Sequence, residues 1–194
     1  WLEGQAPLDL IVTLDDATGA IYSMLLVEEE GTASTFLALR EVVEKHGLFC
    51  SLYTDRGSHY FHTPKAGEAV SRERLTQVGR ALGQLGIEHI AAYSPEARGR
   101  SERVFRTLQD RLPKEFRLAG VATIEAANQW LREVYIADHN ARFAREPTGA
   151  DRFGGGVAAR GVGEDRVLRE RKVVEQVLLA RIGDVHAAHG DGND

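Results

Sequence analysis

Two acidic residues stand where carboxylates could hold a metal ion. Asp55 ends an apolar run and is followed by a turn within residues 53–58, and Glu102 opens a helix after the Pro- and Gly-containing loop that begins at Ser94. Carboxylates from separate elements are hard oxygen ligands that suit Mg²⁺ or Mn²⁺, and a pair of such ions promotes phosphoryl transfer. Asp55 and Glu102 are therefore candidates for a metal-dependent phosphoryl-transfer site. The alternative, which these two residues favour when taken without their surrounding motifs, is a turn Asp and a solvated helix Glu.

Arginines surround Glu102 at helical spacing. Residues four apart share one face of a helix, so Arg98, Glu102 and Arg106 align, and Arg100 lies beside them. One of two equally weighted interpretations is that Arg98, Arg100 and Arg106 bind DNA phosphates. The alternative is a solvated helix face on which Arg–Glu pairs contribute only a few tenths of a kcal/mol.

Two histidines follow Asp55 closely. His59 and His62 have no cysteine nearby, and two histidines alone do not make a closed zinc site. The sequence predicts that they belong to a loop.

Composition sets limits on the class of protein. The chain has 194 residues, 43% hydrophobic and 27% charged, with a formal net charge of −5. These values are typical of a globular domain, and the acidic balance argues weakly against DNA binding. However, residues 96–117 hold seven basic residues against four acidic ones, a local basic stripe. The single Cys50 and the lack of an apolar run long enough for a membrane span favour a cytoplasmic protein.

The elements that must position these residues can be traced in order. Two apolar runs flank turn residues 15–19 and predict a hairpin; strands and helices then alternate, which predicts an α/β fold with a mixed sheet flanked by helices. Pro113 should kink or end the helix that carries Glu102. The predicted strands span 8–14, 20–27, 48–53 and 87–93, and the predicted helices start at Thr32 or Ser34 and span 72–85, the Glu102 region and 124–142.

Several short sequence motifs occur in one order together with these elements. They are Leu2-Glu3-Gly4, residues 15–19, residues 54–58, residues 95–102, residues 107–112 and residues 138–143. In this order they resemble the integrase catalytic core of the Asp-Asp-Glu transposase and retroviral-integrase superfamily. The likeness extends over residues 1–147 and is strongest to bacterial insertion-sequence transposases of the ISNCY type.

The resemblance implies a ribonuclease-H-like fold and joining of DNA ends with two Mg²⁺ or Mn²⁺ ions held by Asp55 and Glu102. In the family the first acid of the triad lies on a strand before the hairpin, so that acid and its strand are expected to be missing here. A sheet edge would then be exposed. Asp15 and Asp16 are expected to serve the hairpin turn and not to bind metal.

The character of the chain changes after Pro147. Residues 151–163 predict a Gly-rich linker, residues 168–182 one charged helix, and the remainder a poorly ordered or diverged tail. The sequence thus predicts a core at residues 1–147 and a separate tail at 148–194.

Three functions remain open at this point. The favoured one is a transposase core, truncated at its N-terminus, that cleaves and joins DNA ends and assembles as a homo-oligomer when intact. The second is a non-catalytic remnant that binds DNA or a full-length partner. The third is a ribonuclease-H-like nuclease. Whether the chain is an active enzyme by itself is left open, because its first catalytic Asp is expected to be absent.

Overall fold

A mixed five-stranded sheet with helices packed against it organises the chain. The computed structural model describes residues 1–65, 68–71, 73–93, 99–146 and 173–179, and of residues 99–102 and 173–179 it describes the backbone. The strands are β1 (Asp9–Asp15), β2 (Ile21–Val27), β3 (Ser51–Thr54), β4 (Glu88–Ala91) and β5 (Val173–Leu179). The helices are α1 (Thr32–His46), α2 (Gln77–Gln84), α3 (Gly99–Leu118), α4 (Ile124–Trp130) and α5 (Ile136–Phe143), with a π-helical turn at Leu131–Tyr135 between the last two.

The strand order is β2-β1-β5-β3-β4. β1 pairs with β2 as an antiparallel hairpin, and β3 pairs with β4 in parallel. Between these two halves lies β5, antiparallel to β1 and parallel to β3. The mixed sheet flanked by helices is therefore confirmed, and β5 is the strand that joins its two halves.

β5 corrects two expectations. The segment within 168–182 was expected to be helical, but Val173–Leu179 is a strand. The inner edge of β1 was expected to be exposed, but it pairs with β5 along Leu10–Asp15. This strand comes from beyond the boundary expected at Pro147 and lies in the same sheet as the core. The linker expected at residues 151–163 falls outside the described residues.

Two asparagines cap the outer edge of the sheet. The side chain of Asn128 bonds both the N–H and the C=O of Leu26, and the side chain of Asn140 does the same for Ile21, at 2.7–2.8 Å. An edge strand has backbone groups without a neighbouring strand to pair with. These amides satisfy some of those groups on β2 and fix α4 and α5 against it.

Pro113 was expected to kink or end its helix, and it does not end it, because α3 continues to Leu118. An interior proline costs about 3 kcal/mol. Leu108, Leu112 and Phe116 flank Pro113 and are fully buried against β1, β2 and α4. Since each buried side chain of this size contributes about 1.5–3 kcal/mol, their packing outweighs the cost of the proline.

The other helices differ from expectation mainly at their starts. α1 begins after Gly31, and Ser34 serves its first turn by accepting the Gly31 N–H at 2.9 Å. α2 starts at Gln77, capped by Thr76, whose hydroxyl accepts the Gly79 N–H. Within the described part of the chain, no helix combines the length and apolar character required to cross a bilayer.

Candidate active site

Asp55 lies directly beyond the end of β3. Thr54 before it is buried, whereas Asp55 is partly exposed. Its Oδ1 accepts a hydrogen bond from the Gly57 N–H at 2.8 Å, which turns the chain sharply after the strand. The predicted catalytic acid is thus presented at a strand end by a bond within its own turn.

Gly57 leaves a narrow hollow beside this carboxylate. A Cβ at position 57 would stand 3.1 Å from Oδ1 of Asp55 and 3.0 Å from Cε1 of His59. The carboxylate and the imidazole therefore approach each other across a position that only glycine leaves open. His59 does lie in the loop after Asp55, as its sequence position predicts.

The segment that leads to α3 leaves the sheet next to Asp55. β3 and β4 are parallel, so their carboxyl ends lie at the same edge, and the Ala92 N–H donates to the Thr54 carbonyl at 2.9 Å. The Arg56 guanidinium lies 5.2 Å from the centre of the Tyr93 ring. In α/β sheets ligands usually bind near the carboxyl ends of the parallel strands.

The other predicted site residues are on or before α3. Glu102 and Arg100 lie in its first turn, and Arg106 follows one turn later with an exposed side chain. Arg98 lies outside the described residues, and the side chains of Arg100 and Glu102 are likewise outside the described part. The pairing of Asp55 with Glu102 therefore remains a prediction.

The Asp55 carboxylate supplies one oxygen ligand of the kind that a hard cation prefers. The carboxylate stands at a partly exposed strand end, beside the hollow at Gly57, and oxygen is the ligand that Mg²⁺ and Mn²⁺ prefer. Among the described side chains no group of three or more His, Cys, Asp or Glu is arranged around a common metal position. A cation here would need Glu102, whose side chain is outside that set.

A partly buried histidine supports the end of β3 from the neighbouring strand. Nε2 of His89 on β4 lies 2.9 Å from Oγ1 of Thr54, and its ring stacks on Phe61 with centroids 4.0 Å apart. Burial, with a smaller effect from His59, lowers the pKa of His89 to about 4. The residue is therefore neutral near pH 7 and acts as packing behind Asp55.

The aspartate at the hairpin turn, Asp15, has a structural role that differs from the one predicted for Asp55. Asp15 is buried at the end of β1, and its Oδ2 accepts hydrogen bonds from both the N–H and the hydroxyl of Thr18. These bonds close the turn before β2. Asp15 thus serves the turn, as the sequence predicts.

One residue near Asp55 was not identified as a candidate site residue from the sequence. Glu30, which precedes α1, lies against His59 and Tyr60 of the turn after Asp55. It is the third of three consecutive glutamates, and its neighbours Glu28 and Glu29 are exposed. No pattern in the sequence distinguishes the buried member of that run.

Comparisons with known proteins identify relatives over most of the chain. It is 37% identical over 152 residues to the putative transposase y4bF of Sinorhizobium fredii, covering 78% of this chain and 33% of the relative. It is 30% identical over 143 residues to the transposase for insertion sequence IS1202 of Streptococcus pneumoniae, covering 74% of this chain and 30% of the relative. The chain thus spans about a third of the length of each.

A solved structure, the simian T-cell lymphotropic virus intasome in complex with PP2A regulatory subunit B56 gamma, matches 66% of this chain and 43% of its own. That match has a TM-score of 0.45 and 20% sequence identity. No family model matches.

Proposed function

We propose that the chain is the catalytic core of a transposase that cleaves DNA ends and joins them to a target, because most of it is similar to two proteins named as transposases. The observation that carries the proposal is the 37% identity over 152 residues to a transposase. A matched stretch of that length includes Asp55 and Glu102 wherever in the chain it begins.

The proposed fold is ribonuclease-H-like. A hairpin, a helix, a strand that precedes Asp55, a helix, a strand and then the helix with Glu102 follow one another in the structure. This is the element order that the resemblance implies. The order supports the proposal because it carries the two acids on separate elements, Asp55 directly after a strand and Glu102 on a helix.

In the proposed reaction Asp55 and Glu102 hold the cations, and the arginines of α3 bind DNA. Two Mg²⁺ or Mn²⁺ ions would supply an activated hydroxyl and stabilise the leaving oxygen of a phosphodiester. Asp55 is fixed by the Gly57 N–H, so its carboxylate needs little reorganisation to bind. Arg106, exposed one turn beyond Glu102, is placed to contact a phosphate of the DNA backbone.

The partner of the proposed enzyme is DNA, both as element end and as target, and its working form is a homo-oligomer. The basic residues within 96–117 are the surface proposed to meet DNA, because phosphate contacts are made chiefly by Lys and Arg. Arg111 and Lys114 already pair with Glu115 and Asp110 on the same helix. The proposed contacts therefore concentrate at the start of α3.

An assay with a labelled duplex that ends in a 3′-hydroxyl and a supercoiled plasmid tests the proposal. Formation of labelled plasmid with Mn²⁺ in the wild-type chain would support the proposal, and the Asp55→Asn and Glu102→Gln variants should then give no product. Asp16→Asn is the matched control and should retain activity. Cleavage without joining would indicate a hydrolytic nuclease instead, and DNA binding without any cleavage would indicate a non-catalytic remnant.

A further inference from the structure

A buried glutamate next to the proposed site has no role in the reaction described above. Glu30 precedes α1, and only 9% of its side chain is exposed. Its backbone N–H donates to Oδ2 of Asp9 at 2.9 Å, which fixes the segment in place. Burying a carboxylate is unfavourable unless it is paired or hydrogen-bonded, so the partners of Glu30 explain why it is there.

Both partners belong to the turn after Asp55. The Tyr60 hydroxyl donates to Oε1 of Glu30 at 3.1 Å, and Nε2 of His59 lies 3.3 Å from the same oxygen. Tyr60 is buried, and its ring contacts that of His59 with centroids 3.9 Å apart. Oε1 of Glu30 thus accepts a hydrogen bond from Tyr60, and the ring of the preceding residue, His59, lies close to the same oxygen.

The same turn is bonded back to Asp55. The Gly57 carbonyl accepts the N–H groups of Tyr60 and Phe61, each at 2.9 Å, and the Gly57 N–H donates to Asp55 at 2.8 Å. A continuous set of hydrogen bonds therefore runs from Glu30 through Tyr60 and Gly57 to the Asp55 carboxylate. His59 adds a contact, because its ring faces Asp55 across Gly57.

We propose that Glu30 is a positioning residue, which holds the turn of residues 57–61 through Tyr60 and His59 and thereby fixes the carboxylate of Asp55. Its effect on cation binding rests on the proposed function, in which Asp55 is a ligand. Removing groups that orient a metal ligand typically lowers metal affinity about 10- to 100-fold. Glu30 precedes β3 in the sequence, whereas the turn of residues 57–61 follows it. Glu30 therefore couples the start of α1 to the proposed site.

Two measurements on the full chain test this role. The first is the affinity for Mn²⁺ by electron paramagnetic resonance, and the second is hydrogen exchange of the Gly57 amide, which reports the bond to Asp55 without any metal. For Glu30→Ala we expect Mn²⁺ affinity to fall about 10- to 100-fold and Gly57 exchange to accelerate. Glu30→Gln should recover most of both, since its amide oxygen still accepts the Tyr60 hydroxyl. The exposed neighbour provides the control: Glu29→Ala should change neither.

The two readouts separate this role from the proposed function. Unchanged Gly57 exchange in Glu30→Ala overturns the positioning role whatever the Mn²⁺ result is. If Asp55→Asn leaves Mn²⁺ affinity unchanged, the proposed metal site is wrong, and Gly57 exchange then decides the role of Glu30 alone. Should Glu30→Ala fail to fold, Tyr60→Phe removes the same hydrogen bond with a smaller change, and unchanged Gly57 exchange in that variant is equally contradictory.

Discussion

The antiparallel half of the sheet, β1 with β2, and the parallel half, β3 with β4, each end a strand at an aspartate. In the antiparallel half Asp15 is buried and one of its oxygens is bonded twice by Thr18. In the parallel half Asp55 is partly exposed, and its turn leaves a glycine hollow beside the carboxylate. The two strand-end aspartates thus differ in burial and in the turn that follows them, and only Asp55 is proposed to bind a ligand.

The two halves also differ in what they anchor. The antiparallel half has strands of seven residues and packs on α3 and on α1, whereas β3 and β4 have four residues each, and β3 shares a buried cluster with residues of α1 and α2. Glu102 therefore lies on α3, which packs on the antiparallel half, whereas Asp55 follows β3 of the parallel half. The strand between them, β5, contacts β1, β3 and α3, so the proposed site depends on that strand.

Removal of β5 is the largest change expected. In a chain that ends at Glu146, β1 and β3 lose the partner that joins them, and we expect cooperative thermal unfolding and DNA joining to be lost. Circular dichroism measures the first and the plasmid assay the second. A chain that ends at Ile182 retains β5 and serves as the control. Cooperative unfolding of the shorter chain at an unchanged midpoint would show that the two halves do not need β5.

Substitution of each strand-end aspartate in turn should separate their roles. Asp55→Asn removes the charge of the proposed ligand, and we expect DNA joining to fall by at least about 100-fold with little change in stability. Asp15→Asn weakens the bonds to Thr18, and we expect a loss of about 1 kcal/mol in the free energy of unfolding with joining retained. Urea unfolding and the plasmid assay give the two quantities. Equal loss of joining in both variants would refute the distinction between the two turns.

A partly buried histidine on β4, His89, and a buried histidine on α5, His139, should make the fold sensitive to acid. Burial lowers the pKa of His89 and of His139 to about 4. Both contribute stability above pH 6.5 that is lost as the pH falls toward 4, because the unfolded chain takes up these protons first. By pH 5 the loss is about 2 kcal/mol for each histidine.

Urea unfolding at pH 7 and pH 5 measures this loss. His89→Gln and His139→Gln should each remove about half of the pH dependence. A pH dependence that both variants retain in full would assign the acid sensitivity to other groups.

A smaller effect is expected at Gly57. In Gly57→Ala the new Cβ meets Asp55 and His59 at 3.1 and 3.0 Å, so both must shift by a few tenths of an ångström. We expect about a 10-fold loss of DNA joining and a stability change near 1 kcal/mol. Gly83→Ala in α2, which has no neighbour within 4 Å, is the matched control and should stabilise the chain by up to about 1 kcal/mol. Full activity in Gly57→Ala would mean that the hollow is not part of the site.

Local signals were enough to predict the hairpin, α1 and the position of Asp55. Turn residues alternate with apolar runs along these segments and indicate where each element lies, and Gly47 marks the end of α1. The role of Asp15 followed from the turn residues around it. In each case the deciding contacts lie within a few residues along the chain.

Long-range contacts decided what the sequence did not reveal. Val173–Leu179 is a strand because two distant strands offer it backbone partners, and such pairing overrides helical spacing. α3 passes Pro113 because buried residues on both sides hold it. Glu30 is distinguished from Glu28 and Glu29 only by its contact with a turn almost thirty residues later.

The measurement that tests the central claim most directly is a double-mutant cycle for Mn²⁺ binding by the wild-type chain, Asp55→Asn, Glu102→Gln and the double variant. If Asp55 after β3 and Glu102 on α3 bind the same ion, each single change should greatly weaken Mn²⁺ binding, and the second change should add little to the first. Unchanged affinity in either single variant, or losses that add independently in the double variant, would contradict a shared site.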